Sequence, residues 1–322
     1  MQRPRFLPDN FTLGLITAVL LATLLPCSGS AARLLEWVTD FAIGLLFFLH
    51  GAKLSREAVL AGITHWRLHL TVLAATFVLF PLLGVVLKPL LTGLTTPELY
   101  LGLLYLCLLP STVQSSIAFV SVAEGNVPAA VCSATASNLL GIALTPLLVG
   151  WLLVSGQVGS SAGSAMTIVY QLLLPFVAGQ LLRPWLGRWV DRHKSKLKLV
   201  DQGSILLVVY TAFSAAVIGG LWRDTPLPAL GGLLLACASL LALVLGLTRL
   251  ASRKLGFNLA DEITIVFCGS KKSLASGVPM AKVLFAGHAI GAIVLPLMLF
   301  HQIQLMVCAV LARRYRLRRQ AG

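Results

Sequence analysis

Between residues 11 and 312 the chain runs through ten apolar stretches, at roughly 11–27, 34–52, 68–91, 98–122, 127–154, 165–182, 203–221, 227–250, 260–286 and 288–312. Most reach the ~17 to 25 residues that a helix needs to cross a bilayer. Hydrocarbon offers the backbone no hydrogen-bond partners, so each stretch must satisfy its own N–H and C=O groups, as a helix does. The links are short and leave no room for a soluble catalytic domain. Of the 322 residues, 57% are hydrophobic and 11% charged, against about 25% charged in a soluble domain. The expected fold is all-α, integral to the membrane, with ten transmembrane helices and the lipid bilayer as its surroundings.

The net charge of +14 raises the question of a polyanionic partner. The positions of the basic residues answer it, because they lie between the apolar stretches and form no basic domain, so no nucleic-acid partner is expected. With the N-terminus inside, 19 of the 25 lysines and arginines fall in cytoplasmic segments, among them Arg3, Arg5, Arg56, Arg67, Arg188, Lys196, Arg253 and Arg316. The positive-inside rule therefore places both termini in the cytoplasm, and a bacterial inner membrane suits the chain. Contact with anionic headgroups accounts for the rest of the basic character. Six cysteines occur without a CxxC pair or companion histidines at ligand spacing, so they read as free thiols, with no metal and no cofactor expected. Arg3 and Arg5 before an apolar run resemble a secretion signal, but Pro26 before Cys27 spoils the cleavage site, and the run reads as a retained first span.

Five stretches precede an uncharged linker, and five follow it. An odd number per half gives the halves opposite orientation, so residues 1–155 and 165–322 read as two inverted repeats joined by 156–164. Gly141-Ile-Ala-Leu-Thr-Pro146 is echoed by Gly291-Ala-Ile-Val-Leu-Pro296. Cys107 and Cys268 stand at matching places before the two features that carry chemistry.

Those features are polar interruptions in the fourth span of each half. In the first, Pro110 removes a backbone donor, and Ser111, Thr112, Gln114, Ser115 and Ser116 place five polar side chains within six residues. In the second, Gly269, Ser270, Lys271, Lys272, Ser273, Ser276, Gly277 and Pro279 combine hydroxyls, two adjacent cations and helix-breaking residues. Intramembrane charge is costly and marks a functional site. Ser133, Thr135, Ser137 and Asn138 form a polar stripe on span 5 that can face the first interruption. Paired broken helices point to the binding site of a transporter. Half-helix N-termini and two lysines suit an anionic small-molecule substrate. A desolvated lysine gives up its proton more readily than one in water, which opens a route to proton coupling. Asp40 is a lone carboxylate in span 2, and His50 and His301 read as structural.

Four segments carry a family resemblance: Leu46-Phe-Phe-Leu-His-Gly-Ala-Lys-Leu-Ser55, Leu109-Pro-Ser-Thr-Val-Gln-Ser-Ser-Ile-Ala118, Leu174-Pro-Phe-Val-Ala-Gly-Gln-Leu-Leu-Arg-Pro184 and Phe267-Cys-Gly-Ser-Lys-Lys-Ser273. In this order they are similar to signatures of the bile acid/sodium symporter family, in an orphan branch divergent at the sodium sites. The resemblance covers essentially the whole chain. It implies ten helices in two inverted five-helix repeats, with helices 4 and 9 broken and crossing near the midplane. It also implies where sodium ligands stand in sodium-coupled members, and there this chain departs. Ser115 keeps one hydroxyl and Ser116 replaces an asparagine; two span 5 hydroxyl ligands fall on Ala130 and Ala134; a glutamate falls on Phe267; glutamines fall on Lys271 and Thr76. Sodium chelation is therefore not expected at these positions, and fixed positive charge stands in its place.

The expectation is a secondary transporter of a small organic anion working by alternating access. A cation/proton exchanger is the alternative mechanism, with only Asp40 eligible as its carboxylate. A regulatory membrane protein that binds without turnover is a further class. A lipid-modifying enzyme would need paired carboxylates, a histidine-rich metal cluster or an activated nucleophile, and none is evident.

Overall fold

The computed structural model describes residues 10–53, 65–154, 172–285 and 290–320, and all regular structure among them is helical. The expected linker 156–164 and the basic residues Arg3, Arg5 and Arg56 lie outside the described residues.

The helices are α1 (Asn10–Leu24), α2 (Gly29–Lys53), α3 (Trp66–Val86), α4 (Lys88–Leu94), α5 (Pro97–Leu108), α6 (Gln114–Val122) and α7 (Val127–Val149). After the undescribed stretch come α8 (Leu174–Arg192), α9 (Lys194–Ile218), α10 (Leu221–Asp224), α11 (Leu227–Lys254), α12 (Leu259–Gly269), α13 (Leu274–Leu284) and α14 (Ile290–Gln320). Among the described residues, five helices are long and apolar enough to cross a membrane: Trp66–Val86, Val127–Leu153, Ser195–Ile218, Leu227–Lys254 and Ile290–Arg318. The chain marks helix starts with ordinary capping chemistry. Asn126 Oδ1 accepts from Ala129 N at 3.1 Å to open α7, and Asn258 Oδ1 accepts from Asp261 N at 2.9 Å to open α12. Asp261 and Glu262 then sit in the first turn of α12, where negative charge meets the positive end of the helix dipole.

Two compact units form, and each takes pieces from both halves of the sequence. The first comprises 10–53, 172–224, 278–285 and 290–292 among the described residues. Within it α1 packs on α9, with Tyr210 Oη donating to Leu25 O at 2.9 Å and Trp222 Nε1 to Thr23 Oγ1 at 3.1 Å. α2 packs on α8 through reciprocal glycines. A Cβ at Gly51 would lie 2.1 Å from Phe176 O, and one at Gly179 would lie 2.0 Å from Phe48 O. No side chain fits at either place, so the two backbones touch, as small residues allow in membranes. Arg183 Nη1 donates to Ala52 O at 2.8 Å, Lys53 pairs with Asp201, and Asp40 pairs with Lys282 at 3.1 Å.

The second unit comprises 65–154, 225–277 and 293–320. Its core joins Leu68, Val72, Ala130, Ile263, Phe267, Cys268, Cys308 and Tyr315 from α3, α7, α12 and α14. Buried Glu262 ties three helices, accepting from Arg253 Nε and from Tyr315 Oη, each at 2.9 Å, and pairing with Arg249 at 3.3 Å.

Both interruptions are real breaks. The first opens between α5 and α6, and the second between α12 and α13. The structure corrects two of the expected helix breakers, since Gly277 and Pro279 lie inside α13. The helix has restarted at Leu274, where Ser273 Oγ accepts from Ser276 N at 3.2 Å, and it tolerates the lost proline donor. Gly277 is there for closeness: a Cβ would meet Leu109 Cδ1 at 2.5 Å and Leu297 Cδ2 at 2.6 Å.

Candidate ion and substrate site at two broken helices

A broken helix leaves carbonyls that must find donors elsewhere. In the first break every carbonyl from Cys107 to Ser111 finds one from another part of the second unit. Cys107 O and Leu109 O accept from Lys272 Nζ at 2.9 and 2.7 Å. Leu108 O accepts from Thr145 Oγ1 at 2.8 Å, Pro110 O from Ser273 N at 2.9 Å, and Ser111 O from Asn138 Nδ2 at 2.6 Å. The second break is served in return. Ser111 Oγ donates to Cys268 O at 2.5 Å and Ser116 Oγ to Phe267 O at 3.2 Å. Gln304 on α14 closes the far side, accepting from Lys272 N at 2.9 Å and donating to Lys272 O at 3.0 Å. The two breaks therefore meet, and each supplies what the other lacks.

Both lysines are fully buried. The Lys272 ammonium has a third acceptor, Thr76 O, at 2.9 Å, and it stands 4.1 Å from the centre of the Phe80 ring. An ammonium has three N–H groups, and three carbonyls take them. Thr76 lies in a π-helical turn, Ala75–Leu79, that interrupts α3. Such turns recur at functional sites because they redirect backbone groups out of the regular ladder. The Lys271 ammonium donates to Ser115 O at 2.8 Å and lies over two aromatic faces, Phe119 at 4.0 Å and Phe267 at 5.4 Å. Among the described residues, no carboxylate pairs with either lysine.

Around this pair the predicted residues fall into three groups. Ser111, Thr112, Ser115, Ser116, Ser137, Asn138, Lys271, Lys272, Ser273 and Ser276 come together. Ser137 Oγ accepts from Ser111 N at 3.0 Å, Ser276 Oγ donates to Asn138 Oδ1 at 2.8 Å, and Thr112 Oγ1 lies 2.7 and 2.9 Å from the hydroxyls of Ser115 and Ser116. Pro110 lines the break, and Gly141 of α7 makes room for it: a Cβ there would lie 2.6 Å from Pro110 Cβ. Gly269 ends α12, and Ser270 Oγ turns back to Val266 O at 2.6 Å, serving its own helix. Two predicted residues stand apart. Ser133 Oγ lies 2.6 Å from His69 Nδ1 on α3, and Gln114 is exposed at the start of α6. Sequence reasoning missed Gln304, Thr145 and Phe119. Gln304 alone carried a signal, as a lone amide in an apolar helix.

Donors and acceptors held in a mostly buried crossing can retain a charged group and orient a small ligand beside it. Among the described residues no group of three metal-ligating side chains occurs. Comparison with known proteins agrees with this chemistry. Residues 9–317 match the SBF-like CPA transporter family. An uncharacterized protein of Pseudomonas aeruginosa is 69% identical over 99% of this chain and 96% of its own. YfeH of Escherichia coli, which carries the name of a symporter, is 58% identical over 96% of this chain and 93% of its own. Sodium/bile acid cotransporter 7 of Rattus norvegicus is 30% identical over 94% and 90%. The chain belongs to the SBF-like CPA transporter family and is a multi-pass membrane transporter, not an enzyme.

Proposed function

We propose that the chain is a secondary transporter that moves a small organic anion by alternating access without a dissociable sodium ion at the crossing. The observation that carries this is the Lys272 ammonium held by three carbonyls at 2.7 to 2.9 Å. Oxygen ligands converging on one positive centre are what a bound cation would require. Here the centre is covalently attached. Three of the positions where the family resemblance implies sodium ligands serve the lysines instead. Thr76 and Ser115 give their carbonyls and Phe267 its ring. Two buried positive charges with no paired carboxylate favour a negatively charged cargo over a bare cation. Because their N–H groups are engaged with carbonyls and ring faces, recognition falls to their field and to the neutral hydroxyls beside them, Thr112 and Ser115.

The architecture proposed for this activity is ten spans in two inverted repeats, 1–155 and 165–322, with both termini on the cytoplasmic side of a bacterial inner membrane. Support comes from the two units, which pair α1 and α2 with α8 and α9, and α3 to α7 with α11, α12 and most of α14. In proteoliposomes, an organic anion found by a thermal-stabilisation screen should show counterflow that is equal in sodium and in potassium. Uptake that rises steeply with a sodium gradient would overturn the sodium-independent reading. Stabilisation without counterflow would make the chain a ligand-binding regulator. Exchange of a cation for a proton would rest on Asp40, and Asp40→Asn should then abolish it.

A further inference from the structure

A groove of about 590 Å³ runs along the outside of the second unit between α3 and α11. Its α3 wall repeats every four residues, Leu70, Ala74, Val78 and Leu82, so one helical ridge lines it. Leu70, Val78 and Leu82 are more than half exposed, at 59%, 54% and 55%. From Trp66 to Leu82 the groove is about 24 Å long at 1.5 Å per residue. That exceeds half of a ~30 Å hydrocarbon core, the depth that one acyl chain reaches.

The mouth differs chemically from the rest. Trp66 is 64% exposed, and Arg67 beside it donates to Leu255 O at 3.0 Å and lies 5.5 Å over the Phe257 ring. One of the five guanidinium donors is engaged in that bond, and the Arg67 side chain is exposed. Lys254, one residue before that carbonyl, is exposed as well. An exposed tryptophan and arginine at one end of an apolar trough, with exposed Lys254 next in sequence to the lining residue Leu255, are charge-complementary to a lipid with an anionic headgroup and a hydrocarbon tail.

We infer that this groove is a binding site for an anionic phospholipid, its phosphate at Arg67 and Lys254 and one acyl chain along Leu70, Ala74, Val78 and Leu82. The floor gives the site a route to the crossing. Ala75 and Thr248 line it, and a Cβ built on Gly269 would lie 3.0 Å from Ala75 Cβ and 3.5 Å from Thr248 Cγ2. Ala75 also opens the π turn whose next carbonyl, Thr76 O, holds Lys272. A chain in the groove therefore packs one side-chain layer from the broken helix.

The test is native mass spectrometry of the intact, purified transporter titrated with phosphatidylglycerol or phosphatidylcholine of identical chains, with thermal stability as a second readout. Phosphatidylglycerol should bind more tightly, and Arg67→Gln or Lys254→Gln should each weaken it about fivefold, as the loss of one basic residue near a lipid surface does. Ala74→Trp, which fills the trough from an exposed position, should weaken both lipids. Equal binding of the two lipids, unchanged by the basic substitutions, would overturn the inference. Displacement of phosphatidylglycerol by inorganic phosphate alone would overturn it too, by showing a headgroup site without a chain. A shift from dimer to monomer in Ala74→Trp with lipid binding unchanged would assign the groove to a second copy.

Discussion

The two broken helices occupy matching places in the sequence, yet their chemistry is opposite. The first, around Pro110, is rich in acceptors: five consecutive carbonyls, Cys107 to Ser111, lack helical partners and turn to side chains or backbone elsewhere. The second, around Gly269, is rich in donors, with two ammonium groups and the backbone N–H of Ser273, which donates across to Pro110 O. A dissociable cation could satisfy the first break, and would leave whenever the helices part. Lys272 satisfies two of its five carbonyls and stays covalently attached. The difference teaches that charge at membrane depth can be a repair for broken backbone as well as a handle for cargo, and Lys272 is the clearest instance.

The comparison breaks most visibly at Lys272. Lys272→Met removes one charge but strands three buried carbonyls, so unfolding in detergent should be easier by about 3 kcal/mol or more. Lys271 holds one carbonyl and two ring faces, and Lys271→Met should cost less, about 2 kcal/mol. Equal losses would show that the three-carbonyl nest is not special. Next in size, Asn138→Leu removes donors to Ser111 O and Ala134 O and the acceptor for Ser276 Oγ, a loss of about 1 to 3 kcal/mol by the same melting experiment. Thr76 meets Lys272 through its backbone, so Thr76→Val should cost below about 1 kcal/mol, limited to the hydroxyl bond to Val72 O. The smallest effect is expected at exposed Gln114, which stands apart from the lysine pair: Gln114→Ala should leave melting within about 0.5 kcal/mol of the parent and stabilisation by an organic anion unchanged.

Much of this was legible in the residues. Pro110 followed by five polar side chains, and adjacent lysines inside an apolar run, announce breaks because no membrane helix carries either without cause. Long apolar runs likewise announced the helices Trp66–Val86 and Leu227–Lys254. What stayed hidden has physical reasons. The Thr76 carbonyl acts through a π turn, and backbone geometry of that kind leaves no mark on side-chain chemistry. Gly277 and Pro279 read as breakers because those residues usually are, yet Ser273 had already restarted the helix three residues or more upstream. The division into two units also escaped notice, since it joins segments from both halves that are far apart in the chain. The sequence pattern of the lysines suits cargo ligands, whereas in the fold their N–H groups point at carbonyls and ring faces.

The central claim is that Lys272 is the resident cation of the crossing. The direct measurement is a melting curve of the parent protein in detergent, titrated with sodium against potassium at constant ionic strength. The account predicts superimposable curves, with sodium-specific stabilisation appearing only in Lys272→Ala, where three carbonyls are left open to a mobile ion. Sodium-specific stabilisation of the parent protein would contradict it.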